Sequence, residues 1–346
     1  MKASISLRSS LVGVVGATGA VGREILALLA KEGVPSSRVR ALASARSAGA
    51  SIPYGDGHVE VSEADADDAF EGCSMALFAA SGDMSRRHLG PALRAGANVV
   101  DNSSAFRMEP DIPLVVPEVN GHLLDSNPSV VANPNCSTIL LAVALWPLHA
   151  RRPVRRAVVS TYQAASGAGA AAMAELEQQA RDWSAGRPLV TEVVGKRYLW
   201  NVFSHNSDVG ETGYNVEEVK MQTEIAKIFG EGAPRIAATC VRVPVLRAHC
   251  ESVNVEFVDA EEEASEVWAR QTLERAPGVR IVDDRASNHF PEPLDAAGEH
   301  DVLVGRIRDD PSREGAIELF LAGDQLLKGA ALNAVQIAKR LEGWKA

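Results

Sequence analysis

The chain has 346 residues, 46% of them hydrophobic, 23% charged and 5% aromatic, with a formal net charge of -10. That length predicts about two domains able to bury a sizeable core, and the composition excludes a disordered chain. The negative charge disfavours nucleic acid as a partner, and neither the four cysteines nor the eight histidines show the spacing of a disulfide framework or a metal site.

At the N-terminus, Lys2 and Arg8 precede a short apolar run that passes straight into Gly-Ala-Thr-Gly, unlike the core of a signal peptide. No apolar run reaches the ~18 residues that span a bilayer, so a cytoplasmic protein is expected. Leu11 to Val15 is a short buried strand, and Val21, Ile25, Leu28 and Leu29 follow at helical spacing. Between them lies Gly16-Ala-Thr-Gly-Ala-Val-Gly22, with Thr18, Gly19, Ala20 and Val21 inside it. Glycines in a strand–turn–helix context let backbone N–H groups approach a pyrophosphate at the helix N-terminus, so this motif is the expected dinucleotide cradle.

A second strand, Arg38 to Ala43, leads into Ser44-Ala45-Arg46-Ser47. An NAD site usually ends this strand with an acid that holds the ribose 2′-hydroxyl; hydroxyls and a guanidinium suit a 2′-phosphate instead. Ser44, Arg46 and Ser47 therefore favour NADP. Met75 to Ala80, Asn98 to Val100 and Leu114 to Val116 read as further strands, and Ser85 to Ala95 as a helix or loop, which gives the βαβ rhythm of a parallel sheet through about residue 135.

Next comes Asn133-Pro-Asn-Cys-Ser-Thr138, ahead of an apolar helix running to Leu145. Pro134 biases Asn133 away from helical geometry, and Ser137 or Thr138 is a candidate cap. Cys136 at that helix start has two readings, a thiolate stabilised by unsatisfied N–H groups or a small buried hydrophobe. The basic cluster Arg151-Arg152-Pro-Val-Arg155-Arg156 reads as a solvated loop before a strand. Ala157 to Tyr162, Ile236 to Val243 and Cys250 to Val258 then read as longer strands of a mixed α+β domain.

Glu217, Lys220 and Glu224 share one helical face beside an apolar face of Met221, Ile225 and Ile228. His249 is the candidate acid/base partner for a thiolate, and Arg242, on the strand before it, points opposite its apolar neighbours, although either could equally be an exposed polar residue. Leu327, Ala331, Ala334, Ala338 and Leu341 predict a C-terminal amphipathic helix.

The motifs GATGAVG, ASARSAG, VVDNSSAFRM, VPEVN, NPNCST, STYQAASGAG, EEVKMQTEIAKI, RVPVLRAH and GDQLLKGAALNAVQIA, in this order, resemble the aspartate-β-semialdehyde dehydrogenase family over nearly the whole chain. The resemblance implies an α/β fold with a Rossmann-like NADP-binding domain, residues 1–135, completed by a C-terminal helix over 325–346. It implies a catalytic and dimerisation domain over 136–324, and a homodimer.

Carried over by position, Cys136 matches the nucleophile that forms an acyl-thioester, His249 the acid/base and Gln163 the amide that orients the reacting group. Arg242 matches the grip on the substrate carboxylate, Lys220 and Arg107 the phosphate ligands, and Glu217 the partner of the substrate ammonium. Asn135 flanks the nucleophile within reach of substrate. Ser166 and Gly167 match a loop near the nicotinamide, and Gln325 a cofactor contact.

Ala50, Ser204 and the stretch Ala80-Ser-Gly-Asp83 depart from the family pattern and bear on cofactor affinity and loop shape. The nearest rival is N-acetyl-γ-glutamyl-phosphate reductase, which has a similar Cys/His pair but no use for an acid facing an ammonium. A different class, a catalytically silent binding or assembly protein, would be favoured by loss of Cys136 or His249, and both are present.

Overall fold

A computed structural model describes residues 10–258 and 265–341; Lys2, Arg8 and the expected helical positions 342–346 lie outside the described residues. The chain divides into two compact units, one made of residues up to Asn135 with those from Ala330 onward, the other of Cys136–Gly329.

In chain order the first unit carries β1 (Val12–Val15), α1 (Ala20–Lys31), β2 (Val39–Ala43), β3 (Ser51–Tyr54), β4 (Gly57–Glu63), β5 (Met75–Phe78), α2 (Gly82–Arg94), β6 (Asn98–Asp101), α3 (Pro117–Asn120) and β7 (Val130–Ala132). Among the described residues these strands form a sheet in the order β3-β4-β2-β1-β5-β6-β7, parallel except for the β3/β4 pair. Every residue of β1 and β5 is buried, the continuous apolar run that a strand covered on both faces requires. β1 lies between β2 and β5, so successive connections run to opposite sides of it. Its carboxyl end is the switch point at which doubly wound sheets leave a ligand crevice.

The turn after β1 needs its glycines. Gly16 has φ +79°, and a Cβ there would collide with the Ala79 carbonyl; a Cβ on Gly22 would collide with the Gly16 carbonyl. α1 therefore starts tight against the strand, with Gly19 at its N-cap and no side chain capping it.

The second unit carries α4 (Cys136–Arg151), β8 (Val154–Gln163), α5 (Ala170–Ser184), β9 (Phe203–Ser204), α6 (Val216–Phe229), β10 (Arg235–Arg242), β11 (His249–Phe257), α7 (Glu266–Leu273), β12 (Val279–Ile281), α8 (Pro293–Ala296), β13 (Val302–Asp309) and β14 (Ala316–Gly323). Its strands form a mixed sheet in the order β12-β13-β14-β11-β8-β10-β9. α4 is buried without a break from Ser137 to Leu145, as befits a helix apolar on all sides. After a π-helical turn, Leu327–Ala331, the last described element is α9 (Leu332–Leu341), which belongs to the first unit. There the fully buried Asn333 donates to the Val115 carbonyl at 3.0 Å and to Asn133 Oδ1 at 2.7 Å.

Several local expectations are corrected. Leu114 to Val116 is not a strand: Leu114 makes an isolated bridge to Ala132, because Pro117 starts α3 at once. Ser137 and Thr138 do not cap α4; the helix begins one residue earlier, at Cys136, so both lie within its first turn. α4 also continues past Leu145 through Pro147 to Arg151. The basic cluster is not a loop, since Arg151 ends α4 while Arg155 and Arg156 lie in β8, where Arg156 pairs with Glu256 at 2.6 Å. Regular helix at the C-terminus starts at Leu332, not near 325.

Replacing Asn333 by Ala leaves two buried acceptors without their donor and should destabilise the protein by about 2–3 kcal/mol. A lower denaturant midpoint in chemical unfolding is the expected reading.

Candidate active site

Three neighbouring strand ends carry the polar residues of the second unit. β10 runs parallel to β8 with Arg242 opposite Gln163, and β11 runs antiparallel to β8 with Cys250 opposite Tyr162, so His249 begins β11 where Gln163 ends β8. The exposed-surface reading of Arg242 and His249 fails: they are 3% and 0% exposed.

Cys136 is the first residue of α4 and is half-buried. The unsatisfied N–H groups of a helix N-terminus favour thiolate over thiol at such a position. Its neighbour Ser137 accepts a hydrogen bond from Gln163 Nε2 at 3.1 Å, which ties the β8 amide to the helix bearing the cysteine. The same amide nitrogen lies 3.3 Å from Thr161 Oγ1 and 3.4 Å from Glu217 Oε1.

Glu217 sits in the first turn of α6, where Asn215 and Glu218 form a reciprocal capping box that fixes the helix start. Lys220 Nζ donates to Glu217 Oε2 at 3.1 Å. Glu217 and Glu224 are buried beside Met221, Ile225 and Ile228, while Lys220 keeps part of its side chain in solvent.

Backbone N–H of Ala164 donates to His249 Nδ1 at 3.0 Å, so the neutral ring carries its proton on Nε2. Nε2 is buried and has no hydrogen-bond partner. Burial, reinforced by the nearby Arg242 charge, pushes the imidazole down to about 3, so it is neutral at any working pH.

Gly167, in the turn after β8, has no room for a side chain: a Cβ there would lie 2.8 Å from His249 Nε2 and 3.0 Å from Arg242 Nη1. Both ends of the Gln325 amide are engaged within the protein. Its Oε1 accepts from the Ala248 N–H at 2.9 Å and its Nε2 donates to Ser166 Oγ. A Cβ on Gly329 would lie 3.0 Å from Cys136 Cβ and 3.3 Å from Gln325 Cβ, so Gly329 bridges the cysteine to that amide.

Among the described residues Arg242 meets neutral partners: Asn206 Oδ1 at 3.2 Å, the Ala164 carbonyl at 3.3 Å, His205 Nε2 at 2.8 Å and the Tyr198 hydroxyl. Sequence reasoning missed His205 and passed over it beside the noted Ser204; a histidine directly after a two-residue edge strand gives no periodic signal. Cys250 packs with Ala248, Ala296, Leu303 and Ala322, and burial pushes its thiol up to about 12, which makes it an inert core residue.

In the first unit, Ser44, Arg46 and Ser47 follow β2, beside the glycine turn that follows β1; Ser44 and Arg46 are exposed. The uncapped start of α1, next to the glycine turn, and the free face of Arg46 fit a dinucleotide phosphate and a ribose 2′-phosphate. Ala50, at the end of the same segment, is exposed. Arg107 is buried, with Nε donating to the Asn133 carbonyl at 3.0 Å and Nη2 to that of Asn102 at 2.8 Å, and Asn135 is buried as well.

Residues 11–127 match the family model described as semialdehyde dehydrogenase, NAD binding domain, and residues 145–328 match semialdehyde dehydrogenase, dimerisation domain. The aspartate-semialdehyde dehydrogenase of Synechocystis is 49% identical over 335 residues, covering 96% of this chain and 98% of that protein. The Bacillus subtilis enzyme of the same name is 41% identical, covering 96% and 97%. Among solved structures, aspartate semialdehyde dehydrogenase II of Vibrio cholerae, complexed with ASA, superposes with a TM-score of 0.89 at 38% identity, over 95% of this chain and 97% of that one.

Substituting Gly167 by Ala should displace His249 or Arg242 and lower kcat/KM by about 100-fold, with little change in melting temperature, in a steady-state assay. Below pH 6.5, the ordinary imidazole value, the unfolded chain takes up a proton that folded His249 refuses. Stability should therefore fall with pH, by about 2 kcal/mol at pH 5 relative to pH 7 from this residue. Chemical unfolding of wild type and His249→Gln at both pH values checks this, since the variant should lack that increment.

Proposed function

The chain belongs to the aspartate-semialdehyde dehydrogenase family, and from that membership we propose that it reduces L-aspartyl-4-phosphate to L-aspartate 4-semialdehyde and phosphate with NADPH. The reaction serves the biosynthesis of lysine through diaminopimelate, and of methionine, threonine and isoleucine. The observation that carries this reading is the buried, partnerless Nε2–H of His249, beside Gln163 and Arg242.

Gly16, Thr18, Gly19, Ala20, Val21 and Gly22 hold the NADP pyrophosphate, Ser44, Arg46 and Ser47 the 2′-phosphate, and Ser166 and Gly167 line the nicotinamide. Gln325 supports that turn by bonding Ser166. When bound, the cofactor supplies the hydride that reduces the acyl carbon.

Arg242 grips the substrate carboxylate and Glu217 its ammonium, so the acyl phosphate is presented to Cys136 with Lys220 and Arg107 on the phosphate oxygens. The Cys136 thiolate attacks the acyl carbon, a carbon–sulfur bond forms, and phosphate leaves with the electron pair of the broken carbon–oxygen bond. The chain then carries a thioester on Cys136. His249 keeps its proton and hydrogen-bonds through Nε2–H to the oxygen that becomes negative on reduction, while Gln163 and Asn135 hold the reacting carbon in place. Collapse of that tetrahedral centre returns the thiolate and releases the semialdehyde.

N-acetyl-γ-glutamyl-phosphate reductase chemistry is the weaker reading, because a substrate with an acylated amine brings no ammonium for the buried Glu217 carboxylate. Residues up to Asn135 with the C-terminal helix form the cofactor domain, and the remainder forms the catalytic and dimerisation domain of a cytoplasmic homodimer. Supporting this, the second unit contains the match to a dimerisation domain, and no helix among the described residues is long and apolar enough to cross a membrane.

Brief incubation with aspartate semialdehyde and NADP without phosphate should leave an acyl adduct on Cys136 in mass spectrometry, absent in Cys136→Ala, which should still bind NADP. Turnover that prefers N-acetylglutamate semialdehyde, or an enzyme that never acylates, would overturn the proposal.

A further inference from the structure

The segment after β9, His205-Asn206-Ser207, lies against Arg242. A guanidinium has no acceptor, so the 2.8 Å contact between Arg242 Nη2 and His205 Nε2 requires a lone pair on that ring nitrogen. The neutral imidazole then keeps its proton on Nδ1, where Ser207 Oγ takes it at 3.0 Å. Backbone N–H of Ser207 is also aimed at that nitrogen, at 3.2 Å, and so competes for the single lone pair of the ring; the shorter, charge-assisted guanidinium contact takes it. The Ser207 hydroxyl oxygen also accepts from the backbone N–H of Glu217 at 3.3 Å. His205 is thus one link in a continuous path from Arg242 to the start of α6.

The chemistry of the link matters as much as its geometry. Among the described residues no carboxylate pairs with Arg242: its partners are an amide, a carbonyl, this imidazole and the Tyr198 hydroxyl. They orient the guanidinium without cancelling its charge. Burial, with Arg242 and Lys220 acting in the same direction against the opposing pull of Glu217, moves His205 down to about 4, in keeping with a neutral ring.

We infer that His205 is a positioning residue for substrate selection: a neutral acceptor that fixes the Arg242 guanidinium relative to Glu217, so that both charged groups of one α-amino acid are met at once. This rests on the reading of Arg242 and Glu217 as the carboxylate and ammonium grips.

Three variants test it. His205→Phe removes the acceptor, His205→Glu keeps an acceptor but neutralises Arg242, and His205→Gln keeps a neutral acceptor. The KM for aspartate semialdehyde should rise about 10-fold or more in the Phe and Glu variants and stay within about 3-fold of wild type in Gln. The KM for NADP should not move, and the preference for aspartate semialdehyde over 3-aminopropanal, which lacks the carboxylate, should collapse only in Phe and Glu. If Phe fails to fold, the contrast between Glu and Gln decides.

An unchanged KM in Phe or Glu, or a Gln variant as impaired as Glu, would overturn the inference. Arg242→Lys separates the two levels. If it leaves KM at the wild-type value, the carboxylate assignment fails; if it raises KM while His205→Phe and His205→Glu do not, only the role of His205 fails.

Discussion

The register among β10, β8 and β11 is the constraint on which the second unit's chemistry depends. Because side chains alternate across a sheet, a slip of one residue in β10 would put Val241 where Arg242 stands and turn the guanidinium to the opposite face. β8 is paired on both edges, parallel to β10 and antiparallel to β11, so neither neighbour can slip without breaking a full ladder. α6 is referenced to the same frame. Glu218, which closes its capping box, also accepts the Cys240 N–H at 3.0 Å, two residues before Arg242. Glu217 and Arg242 therefore have a spacing set by backbone hydrogen bonds.

Within that frame the charges are arranged by withholding partners. Arg242 is buried among neutral partners, His249 is kept neutral, and Glu217 pairs with Lys220. A buried guanidinium without an anion is costly, and on the proposed assignment a substrate carboxylate would relieve that cost at the moment of binding. The neutral His249 contributes in the complementary way. Its tautomer is imposed by a main-chain N–H, which leaves its one remaining proton on Nε2, buried and without a partner among the described residues.

The parts legible in the sequence were those with a period or a fixed local geometry. The glycine turn after β1 was readable because a Cβ at Gly16 or Gly22 meets backbone, and the face of α6 because charged and apolar residues repeat at helical spacing. The parallel sheet followed from its unbroken apolar strands. Illegible features depend on residues far apart in the chain. Gln325 and Ser166 find each other across the fold, and His205 is defined by Arg242 rather than by its own neighbours. Local errors have local causes: the apolar run Leu114 to Val116 has the composition of a strand but Pro117 ends it, and the hydroxyls of Ser137 and Thr138 suggest caps although the helix has already begun.

The segment from Asp324 to Gly329 explains how the cysteine end and the histidine end of the second unit stay in step. Ala248, immediately before His249, has φ +72°, a left-handed conformation that costs a residue with a Cβ about 1–2 kcal/mol. It is held there from both sides. Gln325 accepts its N–H, and the preceding Arg247 is bound at 2.7 Å by the fully buried Asp324, whose carboxylate also collects the N–H groups of Gly298, Leu326 and Leu327. The same segment ends at Gly329 against Cys136, where a larger residue would push the cysteine. A backbone conformation that points His249 at the site and a contact that seats Cys136 are therefore two ends of one strut, and Gln325 is its middle.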